Sequence, residues 1–110
     1  MRYVETHELL EEDGEFISGD QMSNGSDHIV GVVSSDVDGT LYIEQGYPEY
    51  VGGPVHWTVT KQIEVKEDEG QGFVEPIVAP KWRLRYANSV SEAQTSFDLH
   101  ARATSAGPRE

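Results

Sequence analysis

The chain is predicted to be an all-β antiparallel β-sandwich, jelly-roll-like, of about eight short strands. Three observations predict it. Apolar and polar residues alternate in run after run, as in Leu41 and Ile43, in Trp82, Leu84 and Tyr86, and in Phe97, Leu99 and Ala101; a period of two is the mark of a half-buried strand. Turn residues such as Asn24-Gly25 and Asp38-Gly39 punctuate the chain at short intervals. No stretch carries the apolar spacing of a helix.

Taken in order, residues 1–10 read as a first strand or an N-terminal arm, followed by a charged turn at 11–14. Residues 15–18 form a short strand and 19–27 a polar loop with its turn at Asn24-Gly25. Asn24-Gly25-Ser26 is also a glycosylation sequon, which is permissive only. In 28–34, Ile29 and Val33 alternate with Val30 and Val32, so both faces are apolar, as in a central strand. Asp36 to Gly39 closes a tight turn, where Asp-Gly favours the positive φ angles of a hairpin. The next strand points Leu41 and Ile43 inward and Thr40, Tyr42 and Glu44 outward.

Residues 46–54 form a long connection rich in glycine and proline. Its Tyr47, Tyr50 and Val51 either cap the core or form a contact surface, since exposed aromatics favour interfaces. Residues 55–65 alternate throughout, with Val55, Trp57, Val59, Ile63 and Val65 in one register. Lys61 breaks that register, which predicts a bulge or a sheet edge there. An acidic turn follows at 67–72, then a strand over 73–79 in which Pro76 marks a sheet edge. Trp82, Leu84 and Tyr86 alternate with Lys81, Arg83 and Arg85, a loop covers 88–93, and a last strand covers 95–103. The reading is therefore one sandwich domain over 1–103 and a flexible tail over 104–110.

Composition bounds the function. At 110 residues and 36% hydrophobic, the chain can bury a modest core, and no apolar run approaches the roughly 20 residues a membrane-spanning helix needs. It contains no cysteine, so neither disulfides nor thiolate metal sites are available. Twenty acidic residues against eight basic ones give a net charge of −12, a field that repels nucleic acid. Lysine is scarce. An acidic, lysine-poor surface suits concentrated salt, which screens self-repulsion to within a few Å, and so points to a salt-loving host.

Asp36-Val37-Asp38-Gly39-Thr40-Leu41 also matches a phosphatase signature, with Asp36 as nucleophile and Asp38 as acid/base. That chemistry needs a buried parallel strand before the motif and a crossover helix after it. Here Ser34 and Ser35 precede the motif and an alternating strand follows, so no catalytic residue is expected. Asp36 and Asp38 lack the later ligands of a calcium loop. His7, His28, His56 and His100 lie on different elements, short of the convergent set that zinc requires. No metal and no cofactor is expected. Trp57 and Trp82 both fall on the inward register, so core packing is favoured over stacking on a sugar. Lys81, Arg83 and Arg85 form a basic stripe that pairs across strands with carboxylates or docks an acidic neighbouring subunit.

Three blocks then carry a resemblance: Ser35 to Gln45, with its Ser-Asp-x-Asp-Gly-Thr-Leu-Tyr-Ile-Glu-Gln pattern; Val78 to Asn88; and Ala93 to Leu99, with Trp57 between the first two. Together they resemble a family of small β-sandwich virion proteins from tailed viruses of bacteria and archaea. The resemblance implies a head decoration, tail, fibre or adhesin module without catalytic residues. The leading expectation is a capsid decoration or turret component at the virion surface that binds the major capsid protein and self-associates. The alternative is a receptor-binding tail module that recognises a host glycan. With the acidity, the resemblance points to a virus of a halophilic archaeon. The segment 46–54 departs from the family's usual short turn, which makes Tyr47, Tyr50 and Val51, with Arg83 and Arg85, the candidate partner-binding residues.

Overall fold

Alternation of apolar side chains leaves each strand one face to bury, and two sheets meet to bury them. The computed structural model describes residues 3–23, 25–89 and 92–105. Among these are nine strands and no helix: β1 (Tyr3–Thr6), β2 (Glu15–Ile17), β3 (Gln21–Met22), β4 (His28–Ser35), β5 (Gly39–Pro48), β6 (Val55–Val65), β7 (Gln71–Pro76), β8 (Lys81–Asn88) and β9 (Phe97–Thr104). The first sheet has the order β1-β9-β4-β7; the second has the order β2-β8-β5-β6, with β3 also paired to β8. Every pairing is antiparallel.

The core is shared between the layers. Val4, Ile29, Val33, Phe73, Phe97, Leu99 and Ala101 come from the first sheet, and Leu41, Ile43, Ile63, Val65, Trp82, Leu84 and Tyr86 from the second. The rings of Tyr86 and Phe97 meet across the layers at 4.8 Å. Central β4 and edge β7 stand where their sequences predict.

Three expectations are corrected. The turn at Asp36–Gly39 is not a hairpin: β4 lies in the first sheet and β5 in the second, so the chain crosses between layers there. Gly39 is not held at positive φ. Its place is set by space, because a Cβ there would lie 2.2 Å from the buried Tyr86 hydroxyl. The connection at 46–54 is shorter than predicted, since β5 runs on to Pro48 and pairs with Val55, leaving a loop closed by Glu49 N–H to Pro54 O at 2.8 Å. Of the two readings of residues 1–10, the strand is the one formed: Tyr3–Thr6 is an edge strand paired to Leu99–Arg102. Finally, β3 lies inside the predicted polar loop. Gly25 takes φ +85° as a turn requires, while Asn24 of the sequon lies outside the described residues, as does 106–110 of the predicted tail.

The two aspartates of the phosphatase-like motif tie crossings together. The Asp36 carboxylate accepts from the Thr95 hydroxyl at 2.5 Å, the Thr95 amide at 2.9 Å and the Ser96 amide at 3.0 Å. Asp38 Oδ1 accepts from the Glu67 amide at 2.9 Å. The Thr95 hydroxyl, then its amide, hold the Asp36 carboxyl below its ordinary value of 3.8. A depressed carboxylate stabilises the fold above its unfolded pKa, and that contribution disappears as pH falls through the folded value. Asp36→Asn should therefore flatten the stability profile below about pH 4, measured as denaturation midpoint against pH. An unchanged acid limb would refute the role.

Candidate functional site

The outer face of the second sheet departs from a plain solvated surface. The cause is the bulge in β6: Ile43 pairs with Lys61 but Glu44 pairs with Val59, so Thr60 is an extra residue. Below the bulge Ile63 and Val65 remain buried. Above it the phase reverses, and Val55, Trp57 and Val59 turn to the outer face. Lys61 marks the bulge, and β6 is also the sheet's edge. Trp57 is therefore not a core residue, whereas Trp82 is fully buried.

Trp57 joins a ladder of aromatic, basic and acidic side chains. Arg83 and Arg85 project outward from β8 because Trp82, Leu84 and Tyr86 fill the inward positions. Across the pairing, Glu44 stands opposite Arg83 and Tyr42 opposite Arg85. Arg83 Nε donates to Glu44 Oε1 at 2.6 Å, and Arg85 Nε to Glu44 Oε2 at 3.1 Å. Arg85 Nη1 also donates to Glu15 Oε2 on β2 at 3.0 Å. The Arg83 guanidinium lies 4.4 Å from the Trp57 ring centroid, and that of Arg85 4.0 Å from Tyr42. Each such stack is worth about 0.5–1 kcal/mol where solvent has access.

Glu44 is the hub. It lies on the outer face yet is only 5% exposed, because the two arginines cover it. A carboxylate so covered persists because both its oxygens are paired with charged donors. Burial works against the charge of Arg85, but its bonds to Glu44 and Glu15 outweigh this and raise its pKa. The result is a flat face with preset rotamers, bordered by the exposed apolar side chains of Ile17, Met22 and Val59. Nothing in it pairs a nucleophile with a base; its chemistry suits recognition.

The sequence-derived candidates fall into two groups. Arg83 and Arg85 sit in the ladder. Tyr47, Tyr50 and Val51 stand at the β5–β6 hairpin end, 60%, 64% and 99% exposed, and do not cap the core. Tyr47 donates its hydroxyl to Val78 O at 2.9 Å. Glu44, Trp57, Tyr42 and Glu15 are the site residues the sequence reading missed. Lys61 was the available signal, since a bulge there moves Trp57 outward. Of the histidines, His7 bonds Glu5 and Asp98, His28 pairs with Asp27 and His56 with Glu49. His100 stacks on Tyr3 and lies 3.8 Å from Glu5.

A family model described as "Uncharacterised protein YqxG N-terminal domain" matches residues 3–104. The chain belongs to this family. Solved structures share the fold. PBSX exported protein XepA matches with a TM-score of 0.80 at 20% identity, covering 97% of this chain but 39% of its own. This chain thus spans well under half of XepA. The Yersinia pseudotuberculosis-derived mitogen matches with a TM-score of 0.61 at 19% identity, over 98% of this chain and 89% of its own. PirA matches with a TM-score of 0.60 at 15% identity, over 90% and 92%. At these identities the likeness shows the β-sandwich alone. No curated protein matches the sequence.

Proposed function

We propose that this YqxG N-terminal-type domain is a non-catalytic docking module of a phage-related particle or exported assembly. The observation that carries it is the ladder of Trp57, Arg83, Glu44, Arg85 and Tyr42, a rigid recognition face on the outside of a sheet. Preset side chains lose little entropy on binding, and arginine and aromatic residues anchor interfaces. The likeness to PBSX exported protein XepA supports a place outside the cytoplasm, in a virion or released from the cell. A non-catalytic role is supported by Asp36 and Asp38, whose carboxylates cap backbone amides between strands. In its specific form, the module decorates a capsid, binds the major capsid protein and self-associates. It then stabilises the shell by mass action. The comparisons give no support to a salt-loving archaeal host.

A second reading draws on the hairpin end. Tyr47, Tyr50 and Val51 stand free enough to contact a host glycan, as an adhesin would. Copy number separates the two. Quantitative mass spectrometry of purified particles should find hundreds of copies if the module coats the shell, and a handful if it is a tail adhesin. Its absence from particles and from the medium would overturn both. Magnesium-dependent turnover of a phosphate ester, lost in Asp36→Asn, would overturn the non-catalytic reading.

A further inference from the structure

We infer that Arg83 is half of a carboxylate-binding fork, completed by an acidic side chain of the docked partner. The inference rests on reading the ladder as a docking face. Arg85 supplies the internal template. Its ring support is Tyr42, one edge of its guanidinium is held by Glu44, and the other is held by Glu15 from β2. Arg83 repeats the first two features, with Trp57 as support and Glu44 on its Nε edge. The third is missing: among the described residues, its two terminal nitrogens have no hydrogen-bond partner.

The topology explains the gap. Strand β2 pairs Ile17 with Arg85, and the Ser18 amide donates to Leu84 O at 2.9 Å. Pairing resumes in β3 with Gln21 opposite Trp82. Gly19 and Asp20 therefore flank Arg83, where Glu15 and Ile17 flank the Arg85 end of the strand. Gly19 has no side chain, and a Cβ built there meets nothing within 4 Å. Asp20 is exposed, and the Arg83 ion pair among the described residues is with Glu44. A planar donor edge, oriented by an aromatic ring and a carboxylate, thus lacks the second carboxylate that Glu15 gives Arg85.

The complementary group is a carboxylate, as Glu15 is for Arg85. Guanidinium forks match carboxylates with paired, charge-assisted bonds. Lys81, Arg83 and Arg85 slightly outnumber Glu44 and Glu15 here, on a chain of net charge −12, so an acidic group meets less repulsion at this stripe than over the acidic surface at large. The occupant is an acidic segment of a partner protein, with the apolar border of Ile17, Met22 and Val59 packing beside it.

The test uses the full chain and a glutamate-rich peptide, with its glutamine counterpart as control. NMR should show shifts at the Arg83 guanidinium and the Trp57 indole on adding the glutamate peptide only, weakening as salt is raised. Affinity should fall about tenfold or more in Arg83→Lys, which keeps the charge and loses the fork. It should fall likewise in Gly19→Glu, which supplies the missing carboxylate in cis from an open position. Lys66→Gln, just past the end of β6 remote from Trp57, should bind as wild type. Equal affinity in wild type, Arg83→Lys and Gly19→Glu, or equal response to the glutamine peptide, would overturn the inference. Particles that carry the wild-type chain at full copy number while it ignores the peptide would overturn the carboxylate partner alone. The docking function would then stand.

Discussion

Replacing Trp82 with alanine will remove about 3–5 kcal/mol of stability, the range for losing a large buried aromatic. Trp82 is fully buried and belongs to the single core that both sheets share. It projects from β8, the strand on which β2, β3 and β5 all pair, so the cavity cannot close without shifting the middle of the second sheet. Domains of this size hold roughly 5–15 kcal/mol in all, so the variant will unfold at a much lower denaturant concentration. Trp82→Phe makes the informative control. It keeps most of the ring and removes the indole Nε1–H, which is buried with no hydrogen-bond partner among the described residues; leaving such a donor unpaired costs about 1–3 kcal/mol. Phenylalanine should therefore recover most of the loss. Equilibrium denaturation of the two variants checks this. A loss below about 1 kcal/mol in Trp82→Ala would mean that the core does not centre on this residue.

The same residues show what was legible beforehand. Trp82, Leu84, Tyr86, Phe97 and Leu99 were readable as core because each lies on a strand with one buried face and no interruption. Alternation encodes that directly. Trp57 was misplaced although its strand was correctly outlined, because a bulge reverses phase without changing the pattern on either side of it. Lys61 signalled the irregularity, but the direction of the reversal depends on pairing with β5. Asp38-Gly39 failed for a related reason. Turn chemistry says that the chain bends, and the choice between returning to the same sheet and crossing to the other is made by distant contacts. Here those contacts include Thr95 and Ser96 on Asp36 and Glu67 on Asp38. The ladder was half legible: Arg83 and Arg85 stood out as a basic stripe, but a carboxylate buried on an outer face has no signature in one dimension.

Gly31→Ala will be among the most damaging single-methyl changes the chain can suffer. Gly31 lies mid-strand in β4, with φ outside the left-handed region, so conformation does not demand glycine there. Space does. A Cβ at this position would lie 2.4 Å from His100 O, 2.6 Å from Phe73 Cζ and 2.8 Å from Ala101 Cβ. His100 and Ala101 belong to β9 on one side, and Phe73 to β7 on the other. Relief requires moving the β9 backbone away from β4 or expelling a ring from the core. Either breaks interactions that hold the first sheet together. Overpacking typically costs about 1–3 kcal/mol and occasionally more, and with backbone as the nearest neighbour the upper end is expected. Gly72→Ala on adjacent β7 is the matched control. Its Cβ meets nothing closer than Gly31 O at 3.9 Å, so its stability should stay within about 0.5 kcal/mol of wild type. Denaturation midpoints for the pair decide the matter. If Gly31→Ala proves as mild as Gly72→Ala, then β4 is not clasped between β9 and β7 at this point.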